Sequence, residues 1–204
     1  MNRKVKIVSV LICAVMLFQL IGLAAAVSGS DTPSYSYDHE WVTGLFGTKY
    51  SNANKATGKC ECYAYIYALS CDAGAEVFAY QSSTGSYRWH VEAEISLTAY
   101  FNNVGTWSGA DVRIHIKLLD ASKSEVAKIQ VFFDHGGPAE HQDISFASTD
   151  FGAYFSTYYS TVRYIGVTFF VAVGNGGMVC QDSGHTTVDY PAYIDVSSIS
   201  WESY

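Results

Sequence analysis

The chain of 204 residues carries 12 basic and 19 acidic side chains, a formal charge of −7. A surface of that sign repels a phosphate backbone, which excludes nucleic acid as a ready partner. Aromatic residues at 15%, only 3 prolines and 15% charged residues exclude intrinsic disorder and describe a chain that buries a core.

The chain begins with a basic segment, Arg3, Lys4 and Lys6, followed by an apolar run from Ile7 to Leu23 and then Ala24-Ala25-Ala26. This order predicts a signal peptide over 1–26, cleaved after Ala26. The run is nearly long enough to cross a bilayer, so an anchor through residues 5–27 is the competing expectation. Both place the protein outside the cell, secreted or on the surface. Loss of the leader leaves 9 basic against 19 acidic residues, and about 178 residues in all. That length suits a single core.

Residues 27–58 hold no clean period and are expected to form an N-terminal arm with one short strand. Such an arm either packs on its own domain or adds a strand to a neighbouring copy, a route to self-association. The domain proper is expected over 59–204. Residues 59–69 alternate, with Cys60, Cys62, Ala64, Ile66 and Ala68 on one face and Tyr63, Tyr65, Tyr67 and Leu69 on the other. A turn at 70–74, a short strand at 75–81 and a Ser/Gly turn at 82–86 follow.

Residues 88–101 are the clearest element. Trp89, Val91, Ala93, Ile95, Leu97, Ala99 and Phe101 share one parity, and His90, Glu92, Glu94, Ser96, Thr98 and Tyr100 the other. A strand of that length, roughly 45 Å at about 3.3 Å per residue, is expected to bend or to carry a bulge. After a loop at 102–110, residues 111–119 alternate with Arg113, His115 and Lys117 outward. Residues 125–133 return, which makes an antiparallel meander.

A polar loop at 134–143 leads to a short strand at 144–147. Over 149–160 the period changes: Phe151, Tyr154, Phe155, Tyr158, Tyr159 and Val162 follow helical spacing, with Ser148 as N-cap. One short helix is therefore predicted there. A buried strand at 163–173, a glycine turn at 174–177, a short segment carrying Cys180, a loop at 182–186 and a closing strand at 187–201 complete the chain.

Eight to ten strands with one helix predict an all-β, antiparallel two-sheet sandwich, first as a jelly roll and second as an immunoglobulin-like sandwich. The closing stretch Ala192-Tyr193-Ile194-Asp195-Val196-Ser197-Ser198-Ile199 resembles the last strand of jelly-roll carbohydrate-binding modules. The Trp-led strand over 89–101 is similar in kind. The resemblance spans about a fifth of the chain and implies a jelly-roll fold and a glycan as partner.

Five groups of residues carry candidate chemistry. Four cysteines follow the leader, Cys60, Cys62, Cys71 and Cys180. An even count in an exported chain predicts two disulfides, one local to Cys71 and one long-range to Cys180, with the roles of Cys60 and Cys62 open. A zinc site would use the same thiols with His185. Tyr63, Tyr65 and Tyr67 on one strand face, with Trp107 in a loop, form a candidate platform for sugar rings; packing or assembly is the plainer role for such rings. Asp134, Glu140 and Asp143, with His135 and His141, cluster in one polar loop, and calcium is the ion such a loop would take. Glu92 and Glu94 stand roughly 6.5–7 Å apart along one face, a spacing that a small glycoside hydrolase could use; a solvated sheet face is the plainer account. Asp182, Ser183 and His185 are neighbours in sequence, which does not orient a triad. The expectation is a non-enzymatic surface protein acting in adhesion or self-assembly, with a carbohydrate-binding module second and a glycosidase third.

Overall fold

The computed structural model describes residues 26–31 and 35–204. Residues 1–25 of the predicted leader lie outside the described residues. Twelve strands follow in order: β1 (Ser28–Asp31), β2 (Tyr37–Thr43), β3 (Thr48–Asn54), β4 (Lys59–Tyr65), β5 (Ser70–Tyr80), β6 (Tyr87–Asn102), β7 (Gly109–Leu119), β8 (Glu125–Gly136), β9 (His141–Tyr159), β10 (Tyr164–Gly174), β11 (Met178–Cys180) and β12 (Ala192–Ser203). They form two antiparallel sheets. One has the order β1-β12-β4-β11-β6-β9, with β3 also on β4 and β12 also on β6. The other has the order β2-β5-β10-β7-β8.

β6 organises the first sheet. Its odd-numbered residues from Trp89 to Phe101 are all buried, and its even-numbered ones face outward. Alternation over 16 residues gives one face entirely to the core, where it meets Val112, Ile114 and Ile116 of β7 and Val167 and Phe169 of β10. The irregularities expected along it sit in its partners. β9 places two residues, Ala147 and Ser148, between the partners of Ile95 and Leu97, and β12 inserts Ser197 between the partners of Ile95 and Glu94. Each is a bulge in the partner strand, which leaves the alternation of β6 unbroken.

β11 and β12 share one lane between β4 and β6. Val179 lies opposite Ala64 and Phe101, and Ala192 and Tyr193 resume opposite Cys62 and Thr98. Residues 181–191 leave the lane as a loop, closed by the Gln181 N–H donating to the Tyr190 carbonyl at 2.9 Å.

The helix predicted over 149–160 is strand β9, and the described residues contain no helix. The bulge at 147–148 switches which parity points inward: Ile144 and Phe146 before it, Phe151, Ala153 and Phe155 after it. Tyr159, on the same parity as Phe155, also packs inward, opposite Tyr87, while Tyr154 and Tyr158 stay exposed. Inward rings at 151, 155 and 159 with outward rings at 154 and 158 imitate a helical stripe. Tyr, Phe and Thr favour the strand. Residues 27–58 contribute three strands: β1 on β12, β2 at the edge of the five-stranded sheet and β3 on β4.

Three glycines sit directly opposite aromatic rings: Gly29 with Trp201, Gly74 with Trp41 and Gly166 with Phe78. Each ring lies on the bare backbone, so that a methyl group added at Gly74 would meet the Trp41 ring at 2.1 Å. Gly74→Ala should therefore cost about 1–2 kcal/mol through displacement of Trp41, measured as a fall in the urea midpoint at constant m value.

Candidate functional site

Five connections meet at one end of the sandwich: residues 44–47, 66–69, 103–108, 137–140 and 174–177. Backbone hydrogen bonds tie four of them together, and residues 44–47 lie against the 65–71 backbone. The Asn175 N–H donates to Leu69 at 2.9 Å, the Gly176 N–H to Ile66 at 2.8 Å, the Val104 N–H to Gly176 at 3.0 Å and the Asn103 N–H to Glu140 at 3.0 Å. On this end stand Val42, Leu45, Phe46, Tyr67, Leu69, Val104 and Trp107, all large, apolar and exposed, Leu45 to 93% and Tyr67 and Trp107 to 84%. Of the five connections only 137–140 contains a charged residue, Glu140, and its carboxylate accepts the Gly137 N–H at 2.5 Å. The nearby Lys49 ammonium is turned onto the Gly44 and Phe46 carbonyls at 2.5 and 3.4 Å.

The local backbone explains the exposure. Gly44 and Gly47 both adopt positive φ, 94° and 88°, which pinches the loop and drives Leu45 and Phe46 outward. Leu69 holds a φ of 72°, Ala139 one of 57° and Asn175 one of 47°. The left-handed region costs an ordinary side chain roughly 1–2 kcal/mol. Asn tolerates that region, so Leu69 and Ala139 are the two residues at this end whose backbone is held against its preference.

Two open grooves flank the 66–70 turn. One, about 550 Å³, is lined by Phe46, Tyr65, Ile66, Tyr67 and Leu69. The other, about 560 Å³, joins Trp107 to Asp111, His135, Ser70, Thr106 and Pro138. In it Asp111 meets the His135 Nδ1 at 2.5 Å and Arg113 at 2.5 Å.

The predicted tyrosine row divides. Tyr63 is 2% exposed: it lies under the 181–191 loop with Met178, Cys180 and Val188, and its hydroxyl donates to the Thr186 carbonyl at 3.0 Å. Tyr65 is half-buried and meets the exposed Tyr67 edge-on, ring centres 5.1 Å apart. Burial and the Tyr67 hydroxyl push the Tyr65 phenol up to about 12. β4 ends at Tyr65, so Tyr67 belongs to the turn and not to the strand face. Tyr65, Tyr67 and Trp107 thus reach the same end of the molecule, and Tyr63 does not.

The four cysteines are free thiols in the structure, which corrects the expectation of two disulfides. Cys60 and Cys62 face the main core, while Cys180 points to the opposite side of the same sheet, beneath the 181–191 loop. A bridge cannot pass through a sheet. Cys71, on β5, directs its thiol to the Tyr65 carbonyl at 3.8 Å. Burial raises all four, Cys180 to about 12, which disfavours the thiolate that a nucleophile requires.

Asp134, Glu140 and Asp143 are not brought together. β8 runs on to Gly136, where Asp134 accepts the His135 N–H at 2.8 Å; Glu140 caps the turn; Asp143 lies on β9 opposite Tyr100. Among the described residues, no group of three or more His, Cys, Asp or Glu could hold a metal. Glu94 accepts hydrogen bonds from Ser148, Ser197 and Ser198, which hold its carboxyl below the usual range. A glycosidase acid needs the opposite shift. Glu92 turns to His90, whose ring stacks on Tyr154 at 4.0 Å. His185 stacks on Tyr190 at 3.6 Å, with Asp182 at 3.8 Å.

No family model matches the chain, and no curated protein matches it. Solved structures to which it is similar include the CBM22-1 and GH10 modules of endo-1,4-β-D-xylanase 10B from Clostridium thermocellum, with 12% identity over 84% of this chain and 28% of that one, TM-score 0.30. The C-terminal family 22 carbohydrate-binding module of the same enzyme shows 11% identity over 82% of this chain and 96% of that one, TM-score 0.31. The VP2 subviral particle of infectious bursal disease virus shows 11% identity over 88% of this chain and 33% of that one, TM-score 0.35. Carbohydrate-binding-module sandwiches are thus among the solved structures the chain is similar to, as the resemblance of its closing strand implied. The chain spans about a third or less of the first two structures' length. At these TM-scores the likenesses assign it no ligand.

Proposed function

We propose that the protein is a non-enzymatic, secreted or cell-surface jelly roll that works in adhesion by assembling with copies of itself through its loop end. The order β4-(β11, β12)-β6-β9 facing β5-β10-β7-β8 supports the jelly-roll reading. One observation carries the function: seven exposed large apolar side chains converge on an end whose five connections hold a single charged residue, Glu140. Soluble monomers rarely expose apolar patches beyond a few hundred Å². Aromatic side chains bury about 150–250 Å² each, so Phe46, Tyr67 and Trp107, already partly covered, supply roughly half of the ~800 Å² per partner of a standard interface, and the aliphatic side chains beside them add to it.

The variant Leu45→Ser/Tyr67→Ser/Trp107→Ser tests this without touching the core. In sedimentation velocity the parent should gain mass with concentration and the variant should remain monomeric, at unchanged thermal midpoint. A parent that stays monomeric at about 100 μM would put its association energy below roughly −5.5 kcal/mol in magnitude and sink the reading. The groove of Trp107, Asp111 and His135 favours a second reading, glycan binding, because a flat ring there stands beside convergent polar groups. Binding on a glycan array that Trp107→Ser abolishes would establish it.

A further inference from the structure

A second feature lies away from the loop end, on the outer face of the five-stranded sheet. Strand register sets three rows across it. Trp41, Gly74, Phe170, Arg113 and Phe133 form the first; His39, Glu76, Thr168, His115 and Gln130 the second; Tyr37, Phe78, Gly166, Lys117 and Lys128 the third. Trp41 lies flat on Gly74 and nearly parallel to Phe170, ring centres 6.5 Å apart and planes inclined by 25°. The Arg113 guanidinium sits between Phe170 and Phe133, 5.7 and 5.5 Å from their ring centres. Between the first and third rows runs an open trough of about 260 Å³, with Trp41, Phe170 and Arg113 on one side, Lys128 on the other, Thr168 and His115 along its floor, and the Lys117 ammonium reaching across to 5.4 Å from the Trp41 ring centre.

No carboxylate lines this trough, although the chain has 19 acidic residues against 12 basic. Lys117 and Lys128 stand directly opposite each other, an arrangement that is destabilising by itself. The carboxylates that answer these cations lie outside the opening, and each is shared. Glu76 is buried beneath, bound to Lys117 at 2.9 Å, Thr168 at 3.0 Å and His39 at 3.4 Å. Glu125 sits at the rim between Lys117 at 3.6 Å and Lys128 at 3.2 Å. Asp111 divides itself between Arg113 and His135, both at 2.5 Å. The Arg113 Nε is buried without a hydrogen-bond partner. Burial, then Lys128, Lys117 and Arg113, depress His115 to about 4, so its imidazole is neutral and offers one N–H donor.

We propose that this trough is a binding site for an acidic sugar, with the ring against the Trp41–Phe170 wall and a carboxylate or sulfate on Arg113, Lys117 and Lys128. Aromatic walls take the apolar face of a sugar, and a guanidinium with two ammonium groups takes the acid by charge-assisted hydrogen bonds. The site is separate from the loop end, so it stands whether or not the protein self-assembles.

Titration calorimetry at low salt with oligogalacturonate, dextran sulfate and neutral dextran tests it. At least one charged sugar should bind and neutral dextran should not; which one binds tells carboxylate from sulfate. Lys128→Gln, at an exposed side chain, should weaken binding about tenfold, and raising the salt should weaken the parent's binding. In NMR the His115 ring should titrate near pH 4 alone and at higher pH with the ligand bound, because a bound anion favours its charged form. A charge network serving only the fold would leave that titration unmoved. Failure of both charged sugars to bind, equal binding of neutral dextran, no effect of Lys128→Gln, or equally tight binding of oligothymidylate would each overturn the assignment.

Discussion

Trp89→Ala should lower the unfolding free energy by about 3–5 kcal/mol, which for a chain of this size is roughly 6–20 °C in Tm. Trp89 is the largest fully buried side chain among the described residues. It lies on β6 opposite Phe155 of β9 and Ser203 of β12, so truncation opens a void where both neighbours of the central strand meet it. Tyr87 packs on its edge, ring centres 5.5 Å apart, and loses that contact as well. The indole Nε1 is buried with no hydrogen-bond partner. Trp89→Phe therefore removes a donor that costs free energy to bury, and should lose about 1.5 kcal/mol or less. Urea unfolding at constant m distinguishes the two. Equal losses for Ala and Phe would mean that the void is not what Trp89 prevents.

β6 was legible because each face of the strand meets one environment along its whole length. Parity survives from Trp89 to Phe101 since the bulges fall on β9 and β12, and β7 reads as cleanly from Val112 to Leu118. β9 was illegible for the complementary reason. A bulge changes which residues face inward, and nothing in the stretch around Ala147 and Ser148 announces the change. The turn after Tyr65 was missed because Leu69, not a glycine, takes the positive φ. The arm over 27–58 has no period because its three strands are short, lie in both sheets and face water along much of their length.

The sites divide in the same way. Trp107 stands out in a loop whatever the fold, and Tyr67 is exposed because it belongs to the turn after β4 and not to a strand face. Tyr63 looks identical to Tyr65 in sequence; β11 and the 181–191 loop, with Thr186 returning from 123 residues away, cover it. The cysteine count suggested bridges, and the facing of β4 and β11 forbids the long-range one. The trough was visible only in part. Arg113, His115 and Lys117 alternate outward on β7, but Trp41, Phe170 and Lys128 join them through cross-strand register, which no local spacing encodes.

That register makes Glu76 the most consequential polar residue of the fold. It lies in the middle of the second row, 6% exposed, with Lys117, Thr168 and His39 all directed at it. Glu76→Ala should cost about 3 kcal/mol, the lower end for breaking a buried ion pair, because the Lys117 ammonium still has Glu125 at 3.6 Å. Glu76→Gln keeps the shape and an acceptor for Thr168 and should cost about 1–2 kcal/mol. Glu76→Met with Lys117→Met removes both charges together and should recover most of the loss, since two matched apolar side chains carry no desolvation cost. The double-mutant cycle should return a coupling of about 1–3 kcal/mol. A coupling near zero would mean that Glu76 is held by Thr168 alone and that the ammonium of Lys117 answers only to Glu125. The wall of the trough would then be set by the rim carboxylate, and Glu125→Gln, not Glu76→Ala, would be the variant that moves Lys117.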